Sequence, residues 1–181
     1  MKVTIEPIFH DWNKVKDLAL FTQGKSRVND VSSEWKRKAM LSEHSMIRIL
    51  QFEITAEVEN FVSNHIVRHH QGVEKFVQSL REDITGIPNA QINRNTPTNI
   101  KLILNAQALV NISRKRLCNK ASTETITFWR VVFNRMIDLD ECIAYAMVPE
   151  CIYRGFCTEL KRCGYDKSKV FEDNLKFYRE I

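Results

Sequence analysis

Asn105-Ala106-Gln107-Ala108-Leu109-Val110-Asn111-Ile112-Ser113-Arg114-Lys115-Arg116 decides how this chain is read. Its apolar residues are interrupted by amides at regular intervals, and it ends in three cations, which suit the negative end of a helix dipole. The apolar run before it extends the reading to one long helix from about Ile100 to Leu117. At about 100° per residue, Asn105 and Arg116 then share one side while Gln107 and Asn111 share the other. A straight helix cannot aim all four at one ligand. The pattern therefore predicts a helix between two sites, and in a small protein such sites are built across subunits. The plain alternative is that Asn105 and Asn111 bond to neighbouring loops.

A second cluster precedes it: Asn64-His65-Ile66-Val67-Arg68-His69-His70, followed by Ser79-Leu80-Arg81. Thr55 is the expected cap of a helix whose buried stripe is Val58, Phe61, Val62 and Ile66, so Arg68, His69 and His70 arrive at its C-terminal end. Val73, Phe76, Val77 and Leu80 predict a further amphipathic segment carrying Ser79 and Arg81. An Arg offers a planar fork for carboxylate or phosphate, and imidazoles donate, accept or stack on a flat ring. The plain readings are a satisfied helix-terminal histidine at His69 and a solvated or nucleic-acid-facing cluster at Arg114, Lys115 and Arg116. His65 and His69 stand four apart, as in a metal pair, but no third ligand is evident.

Around these clusters the expected elements are a strand over Lys2 to Ile8, a helix over His10 to Phe21, and a short helix near Glu34 to Leu41 capped by Ser32 or Ser33. Met46 to Ile54 reads as a strand. Residues 84–99 read as a loop and candidate lid, Thr123 to Ile137 as a helix started by Ser122, and Val170 to Tyr178 as a closing helix. The expected class is α+β, with a small sheet of short strands covered by helices around the long central one. The 181 residues are 44% hydrophobic and 27% charged, which fits one domain, 1–181, with a cysteine-bearing C-terminal extension at about 149–181. The net charge of +5 favours anionic ligands but is far from a nucleic-acid-binding tail. No apolar run reaches membrane-spanning length and the start MKVTIEPIF lacks a secretory pattern, so the expected location is the cytoplasm. Five cysteines in such a chain argue against a disulfide framework. Of these, Cys118, Cys151, Cys157 and Cys163 read either as buried reduced thiols or as ligands of zinc or an iron-sulfur cluster.

The order Arg68-His69-His70, eight residues, Ser79-Leu80-Arg81, then Asn105-Ala106, Asn111, Arg116 and Ala121 resembles the flavin-dependent thymidylate synthases. The signature of that family is Arg-His-Arg, seven residues, then Ser-x-Arg, so the spacing here is one residue longer; the downstream part, Asn105, Asn111, Arg116 and Ala121, matches without a gap, and the likeness spans about residues 40–125. Glu43-His44-Ser45 and Phe52-Glu53-Ile54 resemble the family's His-containing turn and following strand. There are departures: His70 replaces the second Arg, Val73 a usual Ser, Arg48 a usual Glu and Gln107 a flavin-contacting Arg, while Asn64-His65 stands where His-Gln or Arg-Gln is usual. Each removes or moves a charge-assisted contact worth about 1.5–3 kcal/mol.

The resemblance implies a one-carbon transfer from methylenetetrahydrofolate to dUMP, with FAD as cofactor and NADPH as its reductant. It implies that Arg68, His69, His70, Asn105, Gln107 and Asn111 hold FAD, that Ser79 and Arg116 bind the nucleotide, and that Arg81 lies against the uracil and polarises its carbonyl. It also implies a homotetramer with shared sites. Hydroxymethyl transfer to a pyrimidine nucleotide would use the same residues. A non-catalytic nucleotide- or nucleic-acid-binding module is the alternative of a different class.

Overall fold

Alternation of apolar and polar residues builds the sheet. In the computed structural model, which describes residues 2–180, four antiparallel strands lie in the order β1-β2-β4-β3: β1 Val3–Phe9, β2 Gln51–Glu59, β3 Val73–Val77 and β4 Pro97–Asn105. On the two central strands Phe52, Ile54, Ala56 and Val58 of β2 and Thr98, Ile100, Leu102 and Leu104 of β4 are buried on one face. Their register, Phe52 opposite Leu104 and Ile54 opposite Leu102, stacks these side chains in pairs. The other face carries Glu53, Glu57, Asn99 and Lys101, with Lys101 Nζ 2.5 Å from a Glu53 carboxylate oxygen.

Nine α-helices are formed among the described residues: α1 Trp12–Phe21, α2 Ser33–Ser42, α3 Asn60–Ile66, α4 Glu82–Thr85, α5 Ala106–Arg116, α6 Thr123–Leu139, α7 Glu141–Ala146, α8 Glu150–Arg154 and α9 Lys169–Arg179. Side-chain oxygens cap several of them: Asp11 for α1, Ser32 for α2, Ser122 for α6 and Ser168 for α9 each accept from a main-chain N–H of the first turn. The core joins the sheet to Leu109 and Ile112 of α5 and to Phe128, Trp129, Val132 and Met136 of α6. Trp129 Nε1 donates to Ser113 Oγ at 2.8 Å, which satisfies both buried polar groups across the α5–α6 contact. Asp140 ties the far end of α6 to the N-terminal segment: its carboxylate accepts from Trp12 Nε1 at 2.6 Å, lies 2.6 Å from His10 Nε2, and caps α7. Burial pushes this carboxyl up, but the His10 and Trp12 hydrogen bonds outweigh it and hold the group below the ordinary Asp range.

The α+β class and the elements near both termini agree with the sequence reading; the middle of the chain does not. The long helix expected from Ile100 does not form. Residues up to Asn105 are strand β4, and α5 has only 11 residues, fewer than the 17 of α6. The run Ile100 to Leu104 fits either period, and pairing with β2 decides it. Thr55 is no helix cap, because it sits opposite Lys101 in the ladder; β2 continues to Glu59 and α3 starts at Asn60. Val73 to Val77 is a strand rather than part of an amphipathic helix. The stretch read as a loop, 84–99, holds the end of α4 and a 3-10 turn, and its last three residues belong to β4. No described helix is long and apolar enough to cross a membrane.

Where β4 passes into α5, Asn105 is the N-cap, its Oδ1 accepting from Ala108 N at 2.9 Å, and its own N–H donates to Gly72 O. Gly72 has φ +69°, and a Cβ there would come within 2.6 Å of the Asn105 amide. Gly72→Ala should cost about 1–3 kcal/mol and displace the cap. Gly24→Ala and Gly86→Ala, at similar φ but with nothing within 4 Å of the new Cβ, serve as controls for backbone strain alone. Thermal or urea unfolding of the three variants is the check; equal losses would remove the close approach from the account.

Candidate functional site

The turn after α3, the first half of α5 and, on the second side, Glu43 and Arg48 enclose two adjoining clefts. One, of about 320 Å³, is lined by Arg68, His69, His70, Gln71, Asn111 and Ile112. The other, of about 590 Å³, is lined by Glu43, Arg48, Gln71, Gly72, Asn105, Gln107 and Asn111. Gln71 and Asn111 belong to both. All six residues expected to hold a cofactor therefore line one continuous surface. This corrects the helical-wheel reading: Asn105 is outside the helix, as its cap, so it turns to the same cleft as Gln107 and Asn111. A larger cavity of about 720 Å³, mostly apolar, lies elsewhere between α6, α7 and α9 and includes none of the predicted residues.

Arg68, His69 and His70 are not on a helix end, since α3 stops at Ile66; they form the turn beyond it. Lys75 on β3 holds that turn, its Nζ donating to Val67 O at 3.2 Å and His69 O at 2.7 Å and lying 3.0 Å from His70 Nδ1. Arg116 reaches across from α5. Its Nε donates to His69 Nε2 at 2.9 Å and its Nη2 to His65 O at 2.5 Å. His65 Nδ1 meets Thr125 Oγ1 at 2.9 Å, which joins the cluster to the start of α6.

A His69 nitrogen that accepts from a guanidinium must be unprotonated. Burial first, then the adjacent Arg116, lowers the His69 pKa to about 4, so the ring is neutral at pH 7. Burial followed by Arg116 lowers that of His65 as well. Arg116 is itself lowered by burial and by Arg68, without approaching neutrality in the neutral range.

On the second cleft Glu43 organises the polar side chains. It occupies a left-handed conformation, φ +50°, at the end of α2. It accepts from Gln107 Nε2 at 2.6 Å and pairs with Arg114, whose guanidinium stacks 3.5 Å from the Tyr153 ring centroid. Gln107 Nε2 also approaches Asn111 Oδ1 at 3.3 Å, leaving Gln107 Oε1 buried without a partner. Arg48 and Arg68 have no carboxylate within ion-pair distance among the described residues, whereas Glu43 is fully engaged. The clefts thus offer uncompensated cations, amides and the neutral His69 ring, a donor set for an anionic ligand.

Ser79 and Arg81 lie away from both clefts, on the exposed connection after β3. Ser79 Oγ accepts from Arg81 N at 3.3 Å, and Arg81 forms a two-pronged pair with Asp83 at 3.0 and 2.8 Å, its side chain 73% exposed. Within one chain, then, the Ser79-Leu80-Arg81 element does not join the clefts that the rest of the motif lines. Sequence reasoning also missed Glu43 and Lys75 as organising residues. Lys75 was detectable, because in a strand it alternates onto the covered face where a cation needs acceptors; Glu43 carries no local signal.

Cys118, Cys151, Cys157 and Cys163 line one further small cavity, with Glu159 and Asp166. Burial raises the Cys118 thiol and pushes Cys151 up to about 11. As placed, no three His, Cys, Asp or Glu side chains among the described residues are close enough to hold a metal ion, and His65 and His69 are engaged by Thr125 and Arg116 instead.

Because the folded pKa of His69 lies below the unfolded value near 6.5 (roughly), its contribution to stability is complete above that pH. It is lost as the pH falls towards 4. His69→Gln, which keeps an acceptor for Arg116, should flatten the fall of Tm between about pH 6.5 and pH 4. Parallel Tm profiles for wild type and variant would show that His69 is not the group responsible.

No family model matches the chain, and no curated protein matches its sequence. Its fold does match solved structures. The crystal structure of the UMP/dUMP methylase PolB from Streptomyces cacaoi, bound with 5-Br dUMP, aligns at a TM-score of 0.61 and 14% identity, over 86% of this chain and 96% of that one. At that identity the likeness is one of fold.

Proposed function

We propose that this chain is a divergent flavin-dependent thymidylate synthase that moves a one-carbon unit from methylenetetrahydrofolate to dUMP and reduces it, giving dTMP. The observation that carries the reading is the convergence of Arg68, His69, His70, Asn105, Gln107 and Asn111 on one pair of adjoining clefts, with Arg48 and Arg68 uncompensated. It is supported by the fold shared with a UMP/dUMP methylase and by the sequence resemblance.

The residues fit FAD in three respects. The clefts together lie in the size range of small-ligand sites, their open charges are positive, and the unpartnered Gln107 Oε1 borders a wall rich in donors and acceptors. Arg68, His69, His70, Asn105, Gln107 and Asn111 would hold it, and when bound it supplies the reducing equivalents that NADPH replenishes. The protein's own part is positioning and electrostatics. Arg68 and Arg48 attract the phosphates. Lys75 and Arg116 hold the His69 turn rigid, and the neutral His69 adds no charge beside Arg116. Arg116 keeps Nη1 free of the bonds made by its Nε and Nη2, and that nitrogen is available to a nucleotide phosphate.

Arg81 would polarise a uracil carbonyl and so make C5 nucleophilic. For this it must exchange Asp83 for the nucleotide, an inexpensive trade for a pair this exposed. Arg81 lines neither cleft of its own chain, which is compatible with a contact made in the site of a neighbouring subunit, as the homotetramer implied by the resemblance would have it.

Protein purified without added cofactor should show the visible absorption of oxidised flavin or bind added FAD, and should convert dUMP to dTMP with methylenetetrahydrofolate and NADPH. Arg81→Ala should abolish turnover, by 100-fold or more on the scale of about 10²–10³ seen when one electrostatic donor is removed, with flavin content unchanged. The double variant Gln107→Ala, Asn111→Ala should lose flavin while remaining folded by circular dichroism. Failure to bind FAD together with retained binding of dUMP would sink the synthase and favour a nucleotide-binding module.

A further inference from the structure

The segment 156–163 has no regular structure, and among the described residues none of its main-chain groups bonds to another main-chain group. Leu160 is fully exposed, so little apolar burial holds it, yet Cys157 is buried. Three further cysteines meet Cys157 at the same point: Cys118 after α5, Cys151 in α8, and Cys163, which precedes Gly164 in a left-handed turn. Four of the chain's five cysteines thus surround one cavity of about 20 Å³, roughly the space one small ion or water takes. The same wall carries Asp166, whose side chain is 7% exposed and whose Oδ1 is buried without a hydrogen-bond partner, while Oδ2 meets Arg162 at 3.3 Å.

We propose that Cys118, Cys151, Cys157 and Cys163 bind one Zn²⁺ ion, and that this ion orders the segment 156–163 against α8 and the end of α5. Four sulfur ligands suit a closed, tetrahedral structural zinc site. On binding, each thiol gives its proton to solvent as its Zn–S bond forms, and no electron is transferred. As placed, no three of the groups are at ligand distance; closing the ring needs rotation of the side chains and inward movement of 156–163, the one flank that no main-chain ladder restrains. The site is separate from the FAD and dUMP residues, and its role is structural. Cys142, the fifth cysteine, is buried at α7 with Sγ 3.7 Å from Ser33 O and takes no part.

Full-length protein purified under reducing, anaerobic conditions without added zinc should carry about one zinc per chain by elemental analysis. Titration of the native protein with a mercurial reagent should release that zinc as four thiols react. Cobalt in its place should show the intense thiolate-to-cobalt absorption of tetrahedral sulfur coordination. The double variant Cys157→Ser, Cys163→Ser should lose the metal, and Cys142→Ser should keep it. The double variant may be compared on metal content alone if its stability falls, since the mercurial titration of wild type gives an independent answer. Metal-free wild type, iron with acid-labile sulfide, a disulfide among the four, or zinc retained in the double variant would each overturn the assignment.

Discussion

The side-chain amide of Asn105 joins three parts of the molecule that must agree for the clefts to exist. It ends a central strand, caps the helix that follows, and packs against a glycine in the turn that carries the imidazoles. A cap of this kind contributes about 1 kcal/mol, modest beside the core, but its geometric effect is larger. It sets the phase of α5 relative to the sheet, and with it the directions in which Gln107, Asn111, Arg114 and Arg116 project. Gly72 is constrained from the other side, because only a residue without Cβ lets the turn approach the amide so closely.

Charge follows from this placement. Arg114 and Arg116 are two residues apart on α5 and point to different partners, the first to Glu43 and the Tyr153 ring, the second to His69 and the His65 carbonyl. Glu43 engages Arg114 and the Gln107 amide, which leaves Arg48 as the unneutralised charge of the second cleft and Arg68 as that of the first. Gln107 in particular is held by a carboxylate, where an Arg would itself have formed the ion pair. The departures from the motif this chain resembles are spread over separate contacts: Gln107 bonds Glu43, His70 meets Lys75, and His65 meets Thr125.

The two clefts draw on the first half of α5, and the cysteine pocket begins just past its end. The helix contributes cleft residues at its start and is followed directly by Cys118 at its end. Its stability therefore bears on both, and the buried Trp129–Ser113 hydrogen bond fixes it against α6 between them.

Local chemistry in the sequence by itself determined the caps at Ser32 and Ser122, the periodic stripe of α6, the α+β class, and the residue types gathered around the clefts. These rest on neighbours within a turn or two, so a linear reading suffices. Tertiary structure alone decided that Ile100 to Leu104 is a strand, because a short apolar run satisfies either period until a partner such as β2 takes up its N–H and C=O groups. It also decided that Asn105 faces the same cleft as Gln107 and Asn111, since a cap residue leaves the helical phase that a wheel assumes. The role of Glu43 arises only from a bond across the fold, since it meets Gln107 from 64 positions away and no local pattern marks it.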